Sequence, residues 1–116
     1  MLTLGPAKKV TIYLNEDTSA KHDFLYREIF ELLLERGVAG ASLIRPDAGF
    51  GRHHRIHSQH GEGVTGEHLP VQIEFIETPE RLHALLPELI RLTTDGMIEA
   101  HDTTILKLAR SEAKPL

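Results

Sequence analysis

The sequence predicts a single α+β domain in which strands and helices follow in the order β-α-β-β-α-β, with a long polar insertion between the second and third strands. Two observations lead to this prediction. Apolar residues recur with strand and helix periods in that order, and the stretch GFGRHHRIHSQHGEGVTGEHLP, from Gly49 to Pro70, follows neither period. Because a chain of 116 residues can bury one modest core, we expect residues 1–116 to form one domain.

The first half of the chain predicts a strand, a helix and a second strand. Alternating apolar residues place the first strand at roughly Lys8–Asn15. We expect one of three polar residues in the next turn to cap the helix: Asp17, Thr18 or Ser19. The helix should run to about Arg36 and be followed by Gly37, since glycine readily adopts the left-handed conformation found just beyond helix ends. The segment AGASLIRP predicts a short strand that Pro46 ends.

The second half of the chain repeats this pattern. Three apolar residues alternate along a third strand: Val71, Ile73 and Phe75. Thr78 and Pro79 suit the cap and the first position of a second helix, and Pro87 is expected to kink or split that helix because proline lacks an amide hydrogen. Asp95 and Gly96 should stop the helix, and MIEAHDTTILKL should form the fourth strand. The polar tail at about 109–116 is expected to be loose.

This order of elements suits the ferredoxin-like arrangement, a four-stranded antiparallel sheet with both helices on one face. The uncovered face should then carry a mixture of apolar and polar residues: Thr11 and Tyr13, Ser42 and Ile44 or the alternate residues of that strand, and Gln72, Glu74 and Ile76. A half-apolar sheet face on a small domain favours burial against another copy of the chain. We therefore expect an oligomer.

Composition narrows the classes of function. No apolar run approaches the roughly 20 residues of a membrane span, and the N-terminus lacks the pattern of a signal peptide. The net charge of −4 gives no support for nucleic-acid binding. Because the chain has no cysteine, disulfides and thiolate zinc sites are excluded. We expect a cytoplasmic protein with no nucleic-acid partner.

The insertion is the least ordinary feature of the sequence. It covers about 20 residues from Ala48 to His68, whereas hairpin loops usually have about 2–5. Structureless loops of this length are uncommon unless they are functional or disordered. We predict a flexible loop at about 48–68 that serves function rather than the fold.

Several stretches of the chain resemble the PII-like proteins of the domain-of-unknown-function 190 family, a branch of the PII signalling protein superfamily. The resemblance extends from about Lys8 to Lys107. Its most specific parts are GASLIR at Gly40–Arg45, GFG at Gly49–Gly51, RIHS at Arg55–Ser58 and LPV at Leu69–Val71. Together these motifs indicate the family more strongly than any one of them alone.

The resemblance implies a homotrimer of ferredoxin-like subunits with a mobile T-loop between the second and third strands. It also implies a small effector, typically an adenine nucleotide, in the clefts between subunits, and a partner at the loop tip such as a membrane transport protein or an enzyme. The Gly-x-Gly-Lys loop of PII before the last strand is missing, because the chain reads TTDGMIEAHD there. The effector could therefore be a monophosphate, a cyclic nucleotide or another anion, or no nucleotide at all, and no cofactor is assigned.

The predicted effector site joins the loop-base motif to nearby cations. Glycine lets the backbone approach an anion closely, and arginine supplies a forked donor for phosphate. The candidate effector-binding residues are Gly49, Phe50, Gly51, Arg52, Arg45, Arg55 and His57. The competing interpretation is that the glycines only relax a turn.

Histidines in the insertion suggest an alternative function, a trimeric metal-binding protein. Neutral imidazole is a common metal ligand, and the alternative ligands are His53, His54, His57 and His60. Their spacing matches no defined metal motif, so no metal site is assigned. A third hypothesis is an enzyme acting on a small anionic substrate with His57 as general acid–base. We assign no catalytic residues, because no nucleophile motif or triad pattern occurs in the sequence.

Overall fold

The computed structural model describes residues 2–49, 57–58 and 69–109. Its strands are β1 (Gly5–Asn15), β2 (Ala41–Ile44), β3 (Ala48–Gly49), β4 (His57–Ser58), β5 (Pro70–Glu77) and β6 (Met97–Ile105). Its helices are α1 (Leu25–Glu35) and α2 (Pro79–Leu92). The predicted order of the four main strands and two helices is confirmed, while β1 begins three residues earlier than expected.

The main sheet has the ferredoxin-like topology that the sequence predicts. Its strand order is β2-β5-β1-β6, and each neighbouring pair is antiparallel. The β1–β6 ladder runs from Gly5 opposite Ile105 to Tyr13 opposite Met97. Both helices pack on the face of the sheet that carries Val10. The buried residues of the helices belong to the same hydrophobic core as the alternate residues of β1 and β5. Neither α1 nor α2 covers the opposite face.

The predicted cap of α1 is wrong. The helix begins at Leu25 with Phe24 at the cap position and no side-chain cap hydrogen bond, so the expectation of a cap at Asp17, Thr18 or Ser19 is corrected. The first helical turn instead supplies an acceptor for the segment ahead of it. One Glu28 carboxylate oxygen accepts hydrogen bonds from the amides of His22 and Asp23 at 3.0 and 3.1 Å. These bonds stabilise a separate turn between β1 and α1.

The predicted start of α2 is confirmed. Thr78 caps the helix by accepting a hydrogen bond from the amide of Arg81 at 3.4 Å, and Pro79 is the first helical residue. Pro87 does not split the helix, although it has no amide hydrogen to donate to the carbonyl of His83. Neither helix in the described ranges is long and apolar enough to cross a bilayer.

The insertion has structure at its base. Ala48 and Gly49 pair antiparallel with Ser58 and His57 as a two-stranded ribbon, β3–β4. The expectation of a loop without secondary structure from Ala48 to His68 is therefore corrected. The backbone N–H and C=O groups of the ribbon find partners across the two strands, and strands of two residues are too short to show a period in the sequence. Residues 50–56 and 59–68, and the tail from 110 to 116, lie outside the described residues, so the predicted flexibility of these segments stays a prediction.

Candidate functional site

The base of the insertion lies at one end of the main sheet, where three parts of the chain meet. Asn15, the last residue of β1, is paired with Pro70, the first residue of β5. The amide of Glu16 donates to the carbonyl of Leu69 at 2.7 Å and extends this contact by one step. On the other side of β5, β2 ends at Ile44 and leads into the ribbon. The chain thus leaves and re-enters the sheet beside the end of β1.

Arg45 supplies the positive charge at this loop base. Its Nε and Nη2 atoms both donate to Oε1 of Glu16, at 3.0 and 2.7 Å. The side chains are 44% and 30% exposed, and an exposed pair of this kind contributes only about 0–1 kcal/mol to stability. A competing anion could therefore replace Glu16 as the hydrogen-bond acceptor of the Arg45 guanidinium at small energetic cost.

Gly49 is not required by the packing of the described residues. Its backbone is not in the left-handed region. A Cβ atom added there would lie 3.6 Å from Cγ of Pro70, which is an ordinary contact. The packing of the described residues would accept alanine at this position, so it does not account for the glycine.

The other predicted effector residues are only partly covered by the structure. Phe50, Gly51, Arg52 and Arg55 lie outside the described residues, as do the alternative metal ligands His53, His54 and His60. His57 is described only as a backbone position in the ribbon, opposite Gly49. Within 2–49 and 69–109, no group of three or more histidines or carboxylates is arranged to hold a metal ion. Arg45 and Gly49 are the two predicted residues whose setting the structure defines.

The uncovered sheet face carries a hydrogen-bonded cluster that the sequence alone did not predict. The Tyr13 hydroxyl donates to Oε1 of Glu99 at 2.8 Å, and His101 Nε2 lies 3.1 Å from the same oxygen. These contacts, with the Tyr13 bond foremost, hold the pKa of Glu99 below its ordinary value of 4.5. The bond to Glu99 in turn raises the pKa of Tyr13. Tyr13 and Glu99 are diagonal neighbours on β1 and β6, so only the strand register reveals the pair.

The Tyr13→Phe variant should raise the pKa of Glu99 toward its ordinary value, because the variant removes the donor that stabilises the carboxylate. A carboxyl group whose pKa is lowered in the folded state stabilises the fold above its unfolded pKa, and that contribution is lost as the pH falls through the folded pKa. The variant should therefore lose less stability than the wild type as the pH falls from about 5 to 3. Carboxyl-carbon NMR titration and acid unfolding would measure both effects.

The control for this experiment is Tyr26→Phe, because the Tyr26 hydroxyl accepts from Arg27 and does not contact a carboxylate in the described residues. It should leave the pKa of Glu99 unchanged. If Glu99 titrates identically in Tyr13→Phe and in the wild type, the Tyr13 hydroxyl does not set its pKa.

The sheet order, the two helices on one face and the insertion at the sheet end define a ferredoxin-like fold of the kind found in PII-like proteins. The fold is similar to that of CPII, a nitrogen regulatory PII-like protein from Thiomonas intermedia K12 solved with ADP, AMP and bicarbonate. The TM-score is 0.61 at 20% identity, over 92% of this chain and 100% of that one. This similarity concerns the fold.

The chain belongs to the DUF190 family, described as "Uncharacterized ACR, COG1993", whose model matches residues 7–105. It is 31% identical over 101 residues to a UPF0166 protein of Aquifex aeolicus (strain VF5), covering 87% of this chain and 94% of that protein. It is 28% identical over 102 residues to the UPF0166 protein MJ1524 of Methanocaldococcus jannaschii, covering 87% and 93%. The family resemblance found in the sequence motifs is confirmed.

Proposed function

We propose that this protein is a PII-like regulator that binds a small anionic effector, an adenine nucleotide foremost, at the loop base. Binding would change the arrangement of the insertion and so its contact with a partner protein, such as a membrane transport protein or an enzyme. The position of Arg45 carries this proposal. A half-exposed guanidinium, which donates two hydrogen bonds to the partly exposed carboxylate of Glu16, lies beside the point where the insertion leaves the sheet.

The proposed mechanism is an exchange of partners at Arg45. A phosphate or carboxylate of the effector would replace the Glu16 carboxylate and accept the same two N–H groups, a geometry that guanidinium offers to planar or tetrahedral anions. The amide of Glu16 is bonded to Leu69, at the return of the insertion. Moving the Glu16 side chain would thus act on both ends of the loop. A switch follows only if the effector binds one loop arrangement more tightly than the other.

The proposed functional unit is a homotrimer with the effector between subunits. The uncovered sheet face supports association, because Ile44 and Met97 there are 38% and 53% exposed and lie among polar residues. The nucleotides bound by CPII, which has the same fold, support adenine nucleotides as the first effectors to test. Binding and release need no bond to be broken, so no catalytic residue is proposed.

Arg45→Ala should weaken binding of ADP or AMP by about 10–100-fold, the usual effect of losing hydrogen bonds to a charged group. The measurement is isothermal titration of wild type and variant, with thermal shift as a second readout, since a ligand selective for the native state raises the melting temperature. Arg52→Ala should reduce the same shift. Arg91→Ala is the matched control, because Arg91 is an exposed arginine in the last turn of α2 and should leave affinity unchanged.

Metals form the second arm of the same experiment. A melting-temperature rise with Zn²⁺, Ni²⁺ or Cu²⁺ that survives Arg45→Ala but fails in a variant with His53, His54, His57 and His60 changed to alanine would favour the metal-binding alternative. Absence of any nucleotide shift in the wild type, or a monomer by light scattering, would contradict the proposed regulator.

A further inference from the structure

An aromatic and cationic patch lies at the start of α1, where the turn from β1 enters the helix. It consists of Phe24, Tyr26 and Arg27, and we call it the α1 patch. Phe24 is 40% exposed and occupies the cap position of α1, although its side chain has no polar atom with which to cap a helix. A ring with this exposure provides neither a cap nor a full share of core packing, so the fold alone does not require phenylalanine here.

The three side chains of the α1 patch hold one another in place. The Phe24 and Tyr26 rings are nearly parallel, with an interplanar angle of 12° and centroids 6.3 Å apart. The guanidinium carbon of Arg27 lies 5.6 Å from the centroid of each ring. Arg27 Nε donates to the Tyr26 hydroxyl at 3.0 Å, and its Nη1 is 3.7 Å from Asp23 Oδ1. The Arg27 side chain is nevertheless 57% exposed, so it offers a ligand a surface that is already ordered, which lowers the entropic cost of binding.

Backbone hydrogen bonds connect the α1 patch to the end of β1. The amide of Thr18 donates to the carbonyl of Asn15 at 3.3 Å, and the amide of Leu25 donates to the carbonyl of Thr18 at 2.7 Å. The residue after Asn15 is Glu16, which accepts from Arg45 at the loop base. The α1 patch therefore lies at the same end of the sheet as the proposed effector site.

The charge of Glu16 acts on Arg27 as well as on Arg45. The pKa of Arg27 is raised, first by its hydrogen bond to Tyr26 and also by the negative charges of Asp23 and Glu16. Because Asp23 forms an ion pair with Arg27, this arginine offers a ligand the flat face of its guanidinium more than a net positive charge. Arg45 remains the group for an anion, and Arg27 is suited to a planar neutral group.

The ligand that fits both groups is an aromatic base joined to a phosphate. Aromatic side chains and guanidinium planes both stack on nucleobases, and removing one such contact usually weakens binding by about 5–150-fold. A phosphate alone would use Arg45 and leave the α1 patch empty. A nucleotide supplies a phosphate for Arg45 and a base for Phe24 and Arg27.

We infer that the α1 patch is the nucleobase subsite of the effector site, with the base stacked on the exposed parts of Arg27 and Phe24 and the phosphate at Arg45. This inference rests on the proposed function and narrows the effector to a nucleotide, because a simple anion has no group for the patch. Stacking is tolerant of base identity. The patch therefore favours nucleotides over other anions without selecting one base.

The test compares AMP with ribose 5-phosphate, which has the sugar and phosphate without the base, in NMR titrations of the full chain. AMP should bind at least about fivefold more tightly than ribose 5-phosphate, and the ring current of its base should shift the Arg27 Nε–H resonance. Equal affinity for the two ligands would overturn the inference and leave an anion site at Arg45 standing. If neither ligand binds, the proposed function fails and the subsite fails with it.

Two conservative variants locate the base. Phe24→Leu keeps the apolar bulk without an aromatic face, and Arg27→Lys keeps the charge without the plane of the guanidinium. Each should weaken AMP binding by about fivefold or more and leave ribose 5-phosphate affinity within about twofold of the wild type. Arg45→Ala should weaken both ligands, while Phe24→Tyr retains a ring and should bind AMP as the wild type does. Full AMP affinity in Phe24→Leu and Arg27→Lys, or equal loss of both ligands in them, would contradict a base bound at the α1 patch.

Discussion

Replacing Gly96 with alanine should destabilise the protein by about 3 kcal/mol, because the backbone there is both left-handed and crowded. Its φ is +115°, a conformation that residues with a Cβ rarely adopt. A Cβ atom at this position would lie 2.2 Å from the carbonyl oxygen of Tyr13 and 3.0 Å from Leu14 Cδ2. The chain passes directly over the end of β1 as it enters β6, so relief of the clash would require moving one of the two strands.

Urea unfolding of the Gly96→Ala variant would measure this effect, with Gly40→Ala as the control. A Cβ atom added at Gly40 would have no neighbouring atom within 4 Å among the described residues, and the φ of Gly40 is not left-handed. Its substitution should therefore change stability by no more than about 0.5 kcal/mol. Equal stability of the two variants would mean that Gly96 is packed less closely against Tyr13 and Leu14 than described.

Leu89→Ala should cost about 2–5 kcal/mol, the usual range for removing a fully buried leucine side chain. Leu89 is 0% exposed and belongs to the core cluster formed by both helices and the sheet. It follows Pro87, which deprives α2 of one backbone hydrogen bond. The helix therefore depends strongly on its packing against the sheet, and the loss of Leu89 weakens that packing directly.

The matched control is Leu34→Ala, the same substitution at a helical position that is 79% exposed. It should change the free energy of unfolding by less than about 0.5 kcal/mol. Thermal or urea unfolding at a fixed protein concentration compares the two variants, because association would otherwise add to stability. Similar losses in both variants would contradict the assigned core.

The main strands and α2 could be predicted because their signals are local. The alternation of Val71, Ile73 and Phe75 locates β5, and Thr78 with Pro79 marks the start of α2. The predicted cap of α1 is wrong because several polar residues in one turn offer equivalent caps, and the choice depends on contacts such as those of Glu28. The ribbon escapes prediction because two-residue strands have no period.

The candidate sites are less predictable than the fold because their partners come from different elements. Chain order alone places Arg45 near the loop base, but its bond to Glu16 requires the register of β1 and β5. Glu77 is identifiable in principle, since the alternation of β5 directs an acid toward the core. What the pattern cannot supply is Arg36 at the end of α1, whose carbonyl accepts from Arg81 and whose guanidinium donates to the carbonyl of Ala84.

The ladder between β1 and β6 has a practical consequence. Gly5 and Ile105 are paired, so the two ends of the folded domain emerge side by side, at the end of the sheet far from Pro70. A short linker could join them into a circularly permuted chain without disturbing the strand register. A fluorescent reporter fused to either end would stand clear of the loop base.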